Sequence, residues 1–184
     1  MKKILTRFVI IVILLSQLSC DPSSHEAKKY LSELNQCIDG VVQTEDSLIN
    51  LINKKMLEGG TSTSVIEEKE QSENIQLNQQ IQIVYENLID SIDVALQNVA
   101  LLEGFDGSEE LKMDLIDVLE TYHQLINKEY QEIINISMIP SVLYTQEDDN
   151  SFMQTSSYVD SCIGSSLDTF NLKQKEFLIR YQKK

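Results

Sequence analysis

The sequence predicts an all-α protein, an antiparallel up-down-up-down four-helix bundle with long helices. Three observations lead there. Four segments of the 184-residue chain repeat their apolar residues at steps of three and four, the period of one helix face. Only six glycines and two prolines interrupt the chain, amid plentiful Leu, Ile, Glu, Gln and Lys. No stretch of useful length alternates apolar and polar residues as a half-buried strand would.

The first helix follows Pro22, with Ser23 or Ser24 as its start. Ala27, Tyr30, Leu31, Leu34, Cys37, Ile38, Val41, Leu48 and Ile52 mark its apolar stripe, and Gly59 with Gly60 should stop it. The second carries Leu77, Ile81, Val84, Leu88, Ile92, Ala95, Val99 and Leu102, preceded by a polar stretch, residues 67–74, that reads as a solvated extension. Gly104 to Gly107 closes it. Ser108, Glu109 and Glu110 suit the start of the third, because acidic groups favour the positive end of a helix dipole.

The third helix reads Leu111, Leu115, Val118, Tyr122, Leu125, Tyr130, Ile133 and Ile136 and should end before Pro140. Residues 147–150 read as an acidic loop ahead of the fourth, whose stripe is Phe152, Val159, Ile163, Leu167, Phe170, Phe177 and Tyr181. One stripe on each helix calls for one shared core, and short links favour antiparallel neighbours.

The N-terminus has a different character. Lys2, Lys3 and Arg7 precede an apolar run over residues 8–15, which is shorter than the ~20 residues a membrane-crossing helix needs. Together with Ser19 immediately before Cys20, this is the pattern of a secretory signal of the bacterial lipoprotein kind, residues 1–19. Cys20 would then be the new N-terminus and carry the lipid, with residues 20–184 forming the helical domain on a short tether. Two acyl chains such as palmitate hold a protein at a bilayer where one is marginal. The box departs from the usual pattern at Gln17, where a branched apolar residue is common, so a plain secretory signal or an uncleaved anchor are the alternatives.

Removal of residues 1–19 takes away three of the 15 basic residues and none of the 29 acidic ones. This leaves 12 against 29, a net charge of about −17. Such a surface repels nucleic acid and anionic headgroups, so no nucleic-acid partner is expected.

Candidate chemistry is sparse. Glu120 and His123 have the Glu-x-x-His spacing of half a di-iron site, but the second half is missing, since His25 has no glutamate three residues before it. The expectation is no metal, no cofactor and no catalytic residue. Asp114, Asp117 and Glu120 read as the solvent face of helix three. Cys37 and Cys162 lie on stripes of the first and fourth helices. They form either a candidate disulfide, suited to an oxidising compartment, or two separate apolar thiols. A small-ligand site would call for a cavity lined by Tyr122, Tyr130 and Phe170.

At Phe105-Asp106-Gly107, with Leu111, Tyr122, Glu129-Tyr130 and Ile133-Ile134, the chain resembles a family of small uncharacterised bacterial surface lipoproteins of helical-bundle build. The resemblance implies an envelope or surface location and no known activity. The functional expectation is a lipid-anchored binding or structural protein, periplasmic or surface-exposed, that acts through an unknown protein partner and is not an enzyme. A sensor or enzyme-like bundle with a ligand in its core is the alternative.

Overall fold

The computed structural model describes residues 23–59 and 68–182; the leader, Cys20 and Gly60 lie outside the described residues. It is an all-α four-helix bundle. Helix α1 spans Ser24–Gly59 and α2 spans Glu68–Leu101. The third helix is continuous but changes its winding: α3 (Glu110–Leu125) passes through a π turn (Ile126–Tyr130) into α4 (Gln131–Ser137). The fourth, α5, spans Gln146–Gln182. The polar residues from Glu68 onward are helical, as the solvated extension implies.

Two helices begin on reciprocal caps. At α1 the Ser23 amide donates to Glu26 Oε2 (2.6 Å) and the Glu26 amide to Ser23 Oγ (3.3 Å), which satisfies two free donors at once. At α5 the Thr145 amide donates to Asp148 Oδ2 (2.8 Å) and the Asp148 amide to Thr145 Oγ1 (3.2 Å). Residues 147–150 are therefore the first turn of α5, not a loop. The cap and the helix dipole both favour acidic side chains there, and the Thr145 hydrogen bonds hold the Asp148 carboxyl below its usual range.

The link from α2 to α3 is a tight two-residue turn. The amides of Phe105 and Ser108 each donate to the other's carbonyl, at 2.9 and 3.0 Å. Asp106 and Gly107 take φ of 54° and 74°, the left-handed pair a type I′ turn requires. Gly104 is needed for a separate reason: a Cβ there would stand 2.6 Å from the Ser108 carbonyl oxygen. Lys112 then ties the corner together. Its buried ammonium donates to the carbonyls of Ala100 (3.2 Å) and Leu102 (2.8 Å) and pairs with Glu109. The end of α2, which has no basic residue in its own last turn, thus receives its positive charge from α3.

The core runs the length of the bundle. On α1 the buried series is Leu34, Ile38, Val41, Glu45, Leu48 and Ile52, so one carboxylate occupies a place in the apolar stripe. On α2 Tyr85 is buried and Val84 only half-buried, one residue away from the expected stripe. Contacts across the bundle set the register. Lys55 Nζ donates to Asn74 Oδ1, Tyr85 Oη to the Ile126 carbonyl, and Gln174 Nε2 to Asn35 Oδ1. Thr121 lies beside Ser166, and Arg180 donates to Glu110.

One end of the bundle is closed by rings. Tyr30, Phe105, Phe177 and Tyr181 stack in tilted and edge-on pairs with centroids 5.0 to 5.9 Å apart. Each such pair adds roughly 0.5–1.5 kcal/mol beyond the area it buries. No helix among the described residues is long and apolar enough to cross a membrane.

Candidate functional site

The buried carboxylate on α1 is the centre of the most distinctive arrangement in the molecule. Glu45 accepts a hydrogen bond on each oxygen: Tyr122 Oη donates to Oε2 at 2.6 Å and Tyr130 Oη donates to Oε1. Both tyrosines are fully enclosed. Burial is the largest influence on Glu45 and raises its pKa above the ordinary carboxylate value. The two hydroxyls oppose that rise, and the nearby charges of Asp46 and Asp160 add to it. Burial and the Glu45 charge push both phenols far above their usual range, so they remain donors at every ordinary pH.

Two tyrosines eight residues apart meet one carboxylate because of the π turn between them. In a regular α-helix eight residues leave side chains about 80° apart around the axis. The π turn takes up one extra residue, which brings Tyr122 and Tyr130 to within about 20° of the same face, as if they were seven apart. Tyr85 secures the change of winding from α2, by donating to the carbonyl of Ile126, the first residue of the π turn, at 2.9 Å. Three tyrosines from two helices therefore fix one glutamate from a third.

Beside this clamp lies a cavity of about 170 Å³ on the seam between α1 and α5. Ile52, Tyr130, Ile133 and Val159 are its buried walls. Phe152 and Ser156 are half-buried, and Ile49, Asn53 and Asp160 reach solvent at its rim. Of the three residues expected to line a cavity, only Tyr130 does so. Tyr122 is occupied by Glu45, and Phe170 is buried in the core at another level of α5. A second, much smaller void of about 30 Å³ lies at the aromatic end, where the buried Tyr30 hydroxyl and Asp114 Oδ2 have no partner.

The remaining candidates are placed apart. Cys37 and Cys162 are free, half-buried thiols. Cys37 Sγ donates to the Glu33 carbonyl at 3.3 Å, and burial raises its pKa, which disfavours the nucleophilic thiolate. Cys162 keeps company with the Tyr158 hydroxyl. The register explains the separation. Asn35 stands level with Gln174, and Asn53 shares the cavity with Ser156, so the level partner of Cys37 is near position 172. Cys162 lies ten residues from there, roughly 15 Å along the axis and far beyond a disulfide's span.

His123 is exposed, as is Glu120. Among the described residues no three His, Cys, Asp or Glu side chains gather as a metal-binding group. Asp117 and Glu120 face solvent, but Asp114 does not join them: it turns into the small end void beside Lys173. Burial there raises its pKa, and Lys173 opposes the rise.

The chain matches no protein-family model, and no curated protein and no solved structure is significantly similar to it.

Proposed function

We propose that this is a lipid-anchored protein of the bacterial envelope, with its four helices in up-down-up-down order, that acts by binding rather than by catalysis. The observation that carries the reading is Cys20 directly after a leader-like segment, residues 1–19, with the α1 cap at Ser23 only three residues further on. Three residues reach at most about 10 Å, so a lipid on Cys20 would hold the aromatic end of the bundle against the bilayer. The cross-bundle pairs support alternating helix direction: Glu110 meets Arg180 while Thr121 meets Ser166, and Lys112 meets the end of α2 while Ile126 meets Tyr85.

In that orientation the link between the third and fourth helices points away from the membrane. There Val142 and Leu143 are 78% and 66% exposed on a turn held by hydrogen bonds from the Leu143 and Tyr144 amides to the Pro140 carbonyl. An ordered turn that shows two apolar side chains to solvent suits contact with a protein partner. A non-catalytic role fits the clamp, whose buried carboxylate has both oxygens taken by tyrosines. The likeness to small surface lipoproteins at Phe105–Gly107 and Tyr122–Tyr130 is part of this proposal.

The test is incorporation of labelled palmitate into wild type and Cys20→Ala in a bacterial host, with protease treatment of intact cells. The reading expects label in wild type alone and release of the variant from the membrane fraction. An unlabelled wild type, or a variant that stays membrane-bound at unchanged mass, would sink it.

A further inference from the structure

The seam cavity has a physical origin in the α5 stripe. Positions 152, 156, 159 and 163 fall on one face, and three of them are Phe, Val and Ile. Ser156 is the fourth, and a hydroxymethyl group where a leucine would close the seam leaves the space open. Across the gap α1 offers Asn53 and Ile49 at the rim instead of a second bulky core residue. The floor is firm, because Tyr130 is pinned through its hydroxyl to Glu45 and cannot swing in to fill the void.

We propose that this cavity binds a small organic cation, an amine carried on a single ring or a short branched hydrocarbon. Size sets the body of the ligand: about 170 Å³ between Ile52, Ile133, Phe152 and Val159 is close to the roughly 150 Å³ that accepts one benzene ring in an apolar protein cavity. Charge sets its head. Among the described residues Asp160 is the one charged side chain on the lining and no Lys, Arg or His joins it, while Glu45 lies directly behind Tyr130. A carboxylate or phosphate would meet only negative charge, in a chain whose formal charge is −14. An ammonium at the rim would meet Asp160.

The test uses the full chain in mild detergent, titrated calorimetrically with benzylamine, benzyl alcohol and benzoate. Benzylamine should saturate one site at millimolar or lower concentration. Benzyl alcohol should bind roughly two- to five-fold more weakly, the range expected for one exposed ion pair, and benzoate not at all. Asp160→Asn should remove the preference for the amine, and Ser156→Leu should abolish binding of both. Methyl resonances of Ile52, Ile133 and Val159 should shift with benzylamine in wild type, which keeps the test decisive should Ser156→Leu not fold. Equal binding of amine and alcohol, an unchanged preference in Asp160→Asn, or no saturable binding with unmoved methyl signals would each overturn the proposal.

Discussion

The aromatic end and the level of Glu45 solve the same problem in opposite ways. Both are places where the four stripes must meet around side chains too large or too polar for simple Leu-on-Ile packing. At the end, Tyr30, Phe105, Phe177 and Tyr181 fill the space with rings, and the type I′ turn, Lys112 and the Tyr181 bond to Asp106 lock them in. What is left is a void of about 30 Å³. At Glu45 a carboxylate stands in the stripe, a π turn is needed to satisfy it, and a cavity about six times larger lies alongside. The difference teaches where stability resides and where it has been given up. Apolar closure can be repacked in several ways, whereas both Glu45 oxygens are satisfied in only one register of α1 against the third helix. A buried polar group of this kind specifies an arrangement more than it strengthens it.

The contrast can be broken first at the strong end. Phe177→Ala removes a buried ring that touches three others and should cost about 3–4 kcal/mol in chemical denaturation. A loss under about 1 kcal/mol would mean that the end is not a packed unit.

Glu45→Ala should cost about 2–3 kcal/mol, because two buried hydroxyls lose their acceptor. Glu45→Gln separates hydrogen bonding from charge. The folded-state pKa of Glu45 is raised, so its contribution is fully present below about 4.5, the unfolded value, and is lost as pH rises through the folded value. The stability of wild type relative to the glutamine variant should therefore fall as pH climbs above about 4.5. A flat or rising difference would contradict the direction of the shift. Lys112→Met comes next, at about 1–2 kcal/mol, since the carbonyls of Ala100 and Leu102 lose a charged donor; the thermal midpoint checks it.

The smallest expected effect is the most diagnostic. Deleting Lys128, an exposed residue within the π turn, should convert it to regular α-helix with the two tyrosines seven apart and still on one face. The clamp should survive with a stability change below about 1 kcal/mol, while deletion of the exposed Glu120, ahead of both tyrosines, should turn Tyr122 by about 100° out of the core and lose the clamp. Circular dichroism and denaturant midpoints distinguish the two.

The helices were legible in the sequence; the site was not, because it lies where the stripes are blank. Four stripes gave four helices, and Ser23, Gly104 and Ser108 marked their boundaries well. The site is written in the gaps. On α1 the apolar series jumps from Val41 to Leu48, and the missing place is Glu45. On the third helix it steps five residues from Leu125 to Tyr130, and the extra residue is the π turn. On α5 it jumps from Phe152 to Val159, and the missing place is Ser156, at the cavity. A single gap reads as an ordinary polar interruption. That all three fall together depends on register between helices, which periodicity within one helix does not contain. For the same reason the stripes alone do not separate a Cys37–Cys162 bridge from two distant thiols, and the acidic residues 147–150 read as a loop until the Thr145 cap makes them the first turn of a helix.

The central claim, that the middle of the bundle is built around a buried carboxylate held by two tyrosines, is tested most directly by carbon-13 NMR titration of the Glu45 side chain. The account predicts a midpoint above the ordinary value for glutamate, moving higher still in Tyr130→Phe, where the charged form loses one hydrogen bond. A midpoint at or below the ordinary value, unmoved by Tyr130→Phe, would show that Glu45 is solvated and that the clamp does not form.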